Sequence, residues 1–498
     1  MKHWLLPLWL LAFAAHAIPE GPDYPSPEWS AREAANYART LEAPAEQAAP
    51  AFQARLQAQN LANQQSFNDR ILADPSWLGG ASGNSPLTPL CSTWMFQCAG
   101  DPFRYPGVDG FYETEGEVIP VVFYDRGCAR ISGRVWAPRG GGNGLPAVVI
   151  ENGSIQAPEP LYWWFAQALV RQGYVVMTFD PRGQGRSDQQ TPDGDQGSNA
   201  NATVFWDGLV DAIDFFRSGP VTPYPHNLSC AGRYPTETTA FNPHHARIDR
   251  ERLGLAGHSL GASGVSVVQS YGAPGAEPWP GLLDAENPVD VIVAWDSLNT
   301  PGEGGGRPAV VPRVPAMGQS SEYGIGGTAF SEPPDPDAQT SAFRGWQAAG
   351  LPVFELTIQG STHFEWSLIP TFPATSWCPG VENGRCLPGW GQPMAEHYSL
   401  AWMDRWLKRP GEPGFDDAET RLLADADWQP RYSFYFRSAR DFPLRAGGRS
   451  QCLDIRAGCT PSAPGSGGAS SASGGGALGA GGLALFALLA LTRRRWRG

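Results

Sequence analysis

Gly257-His258-Ser259-Leu260-Gly261 follows the apolar run Leu253-Gly254-Leu255-Ala256 and precedes Ala262-Ser263-Gly264-Val265-Ser266-Val267-Val268. The pattern reads as a short strand, a sharp turn and the opening of a helix. A serine on such a turn is held in a strained backbone conformation, and flanking glycines let the turn close without side-chain clashes. Its hydroxyl stands clear of the sheet beside a helix N-terminus, where free N–H groups can stabilise an oxyanion. In a chain with 60 glycines the five-residue pattern alone carries little weight, so its flanks decide its meaning.

Working outward, apolar runs alternate with helical stretches. Val118 to Tyr124 and Ala129 to Trp136 predict paired strands. Pro146 to Ile150 predicts a strand followed by a helix over Leu161 to Gln172. Tyr174 to Phe179 predicts a strand followed by a helix around Trp206 to Phe216. Val289 to Trp295 and Val353 to Ile358 predict further strands, and Tyr398 to Leu407 a final helix. This alternation implies an α/β fold, a mostly parallel sheet with helices on both faces. The expected catalytic domain spans 118–410, with 411–460 a C-terminal extension carrying a cysteine pair. Residues 18–117 form a helical N-terminal extension or pro-segment, with helical spacing from Trp29 to Tyr37 and from Phe52 to Leu61. The stretch 219–245, rich in Pro, Tyr and Asn, is a candidate cap over the site. Its His226, His244 and His245 have no carboxylate or cysteine at ligand spacing, so no metal is implied.

A serine hydroxyl needs a base, and the base needs an orienting acid. Two histidines follow Ser259. His363, in Gly360-Ser361-Thr362-His363-Phe364, lies just past a strand, at the edge where parallel sheets build their sites. His397 opens the last helix and suits packing better. Two carboxylates also stand just beyond apolar runs: Asp296 after Val291 to Trp295, and Glu322 after Val314 to Met317 and Ser320-Ser321. On residue chemistry both remain open as the acid.

Ile248-Asp249-Arg250-Glu251-Arg252-Leu253 leading into Gly257-His258-Ser259-Leu260-Gly261 resembles the platelet-activating-factor acetylhydrolase branch of the α/β-hydrolases. Ala294-Trp295-Asp296-Ser297, Ser321-Glu322-Tyr323 and Gly360-Ser361-Thr362-His363 resemble later motifs of that branch in the same order. The similarity covers about residues 146–364. It implies an α/β-hydrolase fold and a catalytic set of Ser259, Asp296 and His363, with Glu322 outside the triad. It also implies oxyanion donors at the N–H groups of Leu260 and Ser154. Asn152-Gly153 stands where the family carries His-Gly, which puts the fine geometry of that loop in question. Asp180-Pro181-Arg182-Gly183-Gln184-Gly185 resembles the family's Asp-x-Arg-Gly-x-Gly turn and reads as structural. Trp163, Trp164 and Trp295 are candidates to line an apolar acyl pocket, Trp295 foremost.

The two ends carry sorting signals. Met1 to Ala17 has the layout of a signal peptide: one positive charge, a short apolar run and an Ala-x-Ala site. Residues 461–476 form a Gly/Ser-rich linker, 477–491 an apolar run, and Arg493-Arg494-Arg495-Trp496-Arg497 a basic end. With Gly474-Gly475-Gly476, this tail resembles the bacterial GlyGly-CTERM sorting signal. That resemblance implies a transient membrane tether and a rhomboid-type sorting protease as partner; a permanent tail anchor is the alternative. Losing Lys2 and four arginines would move the formal charge from −13 to −18, which disfavours nucleic acid as a partner. Eight cysteines in an exported chain read as disulfides. Short spacings suggest Cys91/Cys98, Cys378/Cys386 and Cys452/Cys459, leaving Cys128/Cys230, among on the order of a hundred connectivities.

The expectation is therefore an exported serine hydrolase that cleaves a carboxylic ester, small molecule or lipid, through an acyl-enzyme, with no metal or organic cofactor. A peptidase, a cofactor-free haloperoxidase or a polyester hydrolase on the same triad are rivals. So is a surface binding module that kept the fold without the chemistry.

Overall fold

Apolar runs that expose neither face to water need helices on both sides, and the central strands of this protein are covered in that way. The computed structural model describes residues 21–38, 111–154, 157–198, 201–304, 306–325, 327–367 and 389–459, with scattered positions between 40 and 75 and around 381–386. The expected signal peptide, Cys91/Cys98, Cys378/Cys386 as a pair, the linker and the C-terminal tail lie outside the described residues, as does most of the second predicted N-terminal helix.

Ten strands form one sheet: β1 (Gly116–Tyr124), β2 (Arg130–Pro138), β3 (Leu145–Glu151), β4 (Val175–Asp180), β5 (Ile248–His258), β6 (Val289–Trp295), β7 (Ala316–Ser321), β8 (Val353–Ile358), β9 (Ala439–Pro443) and β10 (Arg449–Cys452). Their spatial order is β1-β2-β4-β3-β5-β6-β7-β8-β9-β10. The pairs from β4 through β8 are parallel, and the flanking pairs are antiparallel. The chain is thus an α/β protein with a large, mostly parallel mixed sheet. Period-two alternation sorts the side chains. Val148, Ile150, Val291, Val293 and Trp295 pack on one face, with α2 (Trp163–Arg171) and α6 (Gly391–Leu407). Val149, Ile292, Ala294 and Ala316 pack on the other, with α3 (Val204–Arg217), α4 (Leu260–Val268) and α5 (Ser341–Ala348).

Two expectations need correction. Residues 219–245 are not a cap over the C-terminal ends of the central strands; they cover the outer edge of β1. The Thr239 N–H donates to the Val122 carbonyl (2.7 Å), the Tyr124 N–H to Asn227 Oδ1 (3.0 Å) and Tyr224 Oη to the Tyr124 carbonyl (2.9 Å). The Cys128–Cys230 disulfide pins the segment further. An edge strand leaves a row of unpaired backbone groups, and this segment satisfies part of that row. Residues 411–460 are likewise no appendage: β9 and β10 complete the sheet, and Cys452–Cys459 closes the loop after β10.

The strand order reverses at β3, because β4 lies on one side of it and β5 on the other. Open α/β sheets place their ligands at the C-terminal edge beside such a reversal.

Candidate active site

Ser259 stands between β5 and α4 with φ 57° and ψ −117°, a positive-φ conformation that a non-glycine residue adopts only when its surroundings impose it. The neighbouring glycines are required by contact. A Cβ on Gly257 would lie 2.3 Å from the Gly261 carbonyl oxygen. One on Gly261 would lie 2.5 Å from the carbonyl oxygen of Asn152 and 2.7 Å from that of Glu151. The start of α4 thus rests directly on the loop that leaves β3. Gly261→Ala should lower stability by about 1–3 kcal/mol through overpacking and depress any Ser259-dependent activity. Denaturant unfolding checks the first; an unshifted midpoint would show that the loop yields without cost.

Three strand ends bring three side chains into line. His363, beyond β8, has Nε2 2.9 Å from Ser259 Oγ and Nδ1 2.6 Å from Asp296 Oδ2, beyond β6. Asp296 also accepts the Ser321 N–H and the Ser321 hydroxyl, both at 2.8 Å. Burial would raise the Asp296 carboxyl, but the His363 hydrogen bond and charge and the two Ser321 donors outweigh it, holding the group below its ordinary range. The acid therefore stays ionised, fixes Nδ1–H as the imidazole tautomer and leaves Nε2 free to take the serine proton.

Glu322 is not brought to His363. Its buried carboxylate accepts the Gly360 N–H and Asn36 Nδ2 (both 2.6 Å), the Ser433 hydroxyl (2.5 Å) and the Phe434 N–H (3.1 Å). Burial raises its carboxyl, against these donors. Asn36 belongs to α1 (Pro27–Ala38), the helix expected from Trp29 to Tyr37. On the same helix Glu33 accepts the Tyr323 hydroxyl and the Phe330 N–H. Residues 27–38 are thus built into the loops beside the site. His397 lies elsewhere, with Nε2 3.0 Å from the Arg421 carbonyl.

Leu260 is the first residue of α4, and Ser154 follows Gly153 in the loop after β3. Among the described residues neither N–H donates to a backbone carbonyl. Asn152, in the position where the family resemblance expects His, donates from Nδ2 to Asp180 Oδ1 (3.1 Å), and Asp180 also accepts the N–H groups of Glu159 (2.8 Å) and Arg186 (2.9 Å). The 180–187 turn is structural, and Asp180 anchors the neighbouring loop.

Trp163, Trp164 and Trp295, expected at an acyl pocket, are packed into the core instead. Trp295 is fully buried, donates Nε1 to Ser399 Oγ (3.0 Å) and packs against Phe165 and Trp164. Its side chain joins the face of β6 that carries Val291 and Val293. Trp164 donates to the Trp366 carbonyl, and Trp163 packs on Trp136 and under Arg134.

Sequence reasoning missed Glu355, hidden in the apolar run of β8. Its carboxyl is pushed up to about 8, by burial above all and also by the Asp296 charge, with the Ser320 hydroxyl bond opposing. Burial thus favours its neutral form, which spares Asp296 the field of a second anion. An unfolded glutamate ionises at about 4.3, so the folded state holds a proton that the unfolded state releases between there and about 8. Stability from this group is full below that window and falls as pH rises through it, at roughly 1.4 kcal/mol per unit. Glu355→Gln should therefore raise the unfolding temperature at pH 8 and do so far less at pH 5. An equal gain at both would contradict the burial argument.

Among the described residues no group of three or more His, Cys, Asp or Glu could hold a metal, and no helix is long and apolar enough to cross a membrane. No known family model matches the chain, and no curated protein matches it in sequence.

Proposed function

We propose that this protein is a serine hydrolase of the α/β-hydrolase fold that cleaves carboxylic esters through an acyl-enzyme. The observation that carries the reading is the unbroken hydrogen-bonded line from Asp296 through His363 to Ser259, with Ser259 on a positive-φ turn at a helix start. Ser259 Oγ attacks the ester carbonyl while His363 Nε2 takes its proton. The N–H groups of Leu260 and Ser154 receive the oxyanion. His363 then returns the proton to the leaving alcohol, and water repeats the sequence to release the acid.

Two disulfides among the described residues suit an oxidising compartment. They support the export expected from the N-terminal signal, with a C-terminal membrane tether processed by a sorting protease. A panel of p-nitrophenyl esters of graded acyl length, run beside peptide amides, tests the reaction class. Ester turnover blocked by a fluorophosphonate is the expected result. Amide cleavage without ester turnover would move the reading to a peptidase, and no covalent labelling at all would move it to a binding module.

A further inference from the structure

His258, the last residue of β5 and the one before the nucleophile, takes no part in the triad, yet it is tied into the site at both ring nitrogens. Its Nε2 lies 2.7 Å from the His363 carbonyl oxygen, and its Nδ1 lies 2.8 Å from Tyr162 Oη. The Gly153 N–H donates to that same Tyr162 oxygen at 3.1 Å. His258 and Tyr162 are 2% and 0% exposed.

The direction of every hydrogen bond follows from simple valence. A carbonyl only accepts, so His258 Nε2 carries the proton. Burial above all, with the His363 ring beside it, lowers the His258 imidazolium to about 3, so the ring is neutral and Nδ1 is a bare acceptor. The Tyr162 phenol, whose ionisation burial also opposes, must then donate its proton to Nδ1. Its oxygen is left to accept from Gly153. Each of these side-chain polar atoms of His258 and Tyr162 has a partner, which buried groups require. Gly153 is fitted to the bridge as well: a Cβ there would lie 3.0 Å from Tyr162 Oη and 3.2 Å from His258 Nδ1.

Resting on the hydrolase reading above, we propose that His258 and Tyr162 are positioning residues: a buried bridge that sets the oxyanion loop, the nucleophile turn and the base loop in register. Those three loops leave three different strands, β3, β5 and β8, and the bridge touches all of them. It acts on the base through its backbone. The His363 carbonyl is held by His258, and the His363 N–H is held by the Gly324 carbonyl at 3.1 Å. With both backbone groups fixed, only side-chain rotation remains between Nε2 and Ser259 Oγ. On the other side, Gly153 precedes Ser154, so the same bridge orients the peptide that offers the oxyanion its second donor. A shift of one ångström in such an arrangement costs on the order of a hundredfold in rate.

The test compares the full chain with Tyr162→Phe, His258→Leu and His258→Gln, measuring kcat and KM on p-nitrophenyl butyrate with unfolding temperatures alongside. Tyr162→Phe and His258→Leu should lower kcat by about 10- to 100-fold while KM stays within about threefold. His258→Gln, whose amide N–H can reach the His363 carbonyl, should recover most of that loss. Wild-type kcat in Tyr162→Phe and His258→Leu would overturn the bridge. So would a glutamine variant as impaired as the leucine one. If a variant does not fold, nitrogen NMR of the wild-type protein decides: His258 must be neutral with its proton on Nε2 at pH 7, and the opposite tautomer or an imidazolium contradicts the proposal. A wild-type protein that neither hydrolyses esters nor reacts with a fluorophosphonate would instead sink the hydrolase reading, and this role with it.

Discussion

Ser259→Ala should abolish ester turnover, with a fall in kcat on the order of 10⁶-fold. The substitution removes one hydroxyl, whose hydrogen-bond partner is His363 Nε2 at 2.9 Å. His363, Asp296 and the two backbone donors remain, so a residue of catalysis over bulk water, roughly 10³-fold, should persist. The backbone should hold, because the turn is set by the glycine contacts at 257 and 261 rather than by the hydroxyl. An unchanged unfolding temperature with collapsed turnover separates a chemical from a structural effect. Retention of the wild-type rate within tenfold would remove Ser259 from the mechanism.

Asp296→Asn should cost about 10⁴-fold in kcat, against less than tenfold for Glu322→Gln. The asparagine side chain would present an amide to His363 Nδ1 and favour the tautomer with the proton on Nε2, the nitrogen that must accept it from serine. Asparagine tolerates the positive φ of 44° at this position, so the backbone is kept. Glu322→Gln keeps shape too, but turns one oxygen that accepts hydrogen bonds into a donor facing donors. That costs stability, roughly 1–3 kcal/mol, and leaves His363 and Asp296 in contact. Steady-state rates of the two variants, measured side by side on one ester, check the assignment. A larger rate loss in Glu322→Gln would reverse it.

The legible part of this protein lay where apolar runs end. The strand-turn-helix around Ser259 and the loop position of His363 could be read directly, since each follows a run that needs burial on both faces. The acid could not be read from residue chemistry, because Asp296 and Glu322 both follow such runs. What separates them is the register of β7 on β6, which sets Ser321 against Asp296 and turns Glu322 toward Gly360 and Asn36. β9 and β10 were hidden because the run Ala439-Arg440-Asp441-Phe442-Pro443 carries charge. Arg440 is buried there only because Asp425, Ser450 and the strand partners pair with it. Glu355 was hidden for a different reason: its strand could be read, but a lone acid in an apolar run signals nothing until its neighbours are known. Residues 219–245 suggested a cap by composition, whereas hydrogen bonds to β1, invisible in sequence, tie them to the sheet edge. His258 stood in plain view inside the serine motif. Its partner Tyr162, 96 positions earlier, gave no signal.

The most direct test of the account is covalent. The purified protein is treated with a fluorophosphonate at neutral pH, and intact mass and peptide mapping follow. The account predicts one adduct per chain, on the peptide bearing Ser259, absent from Ser259→Ala and formed far more slowly by Asp296→Asn. No adduct, or an adduct on another residue that persists in Ser259→Ala, would contradict it.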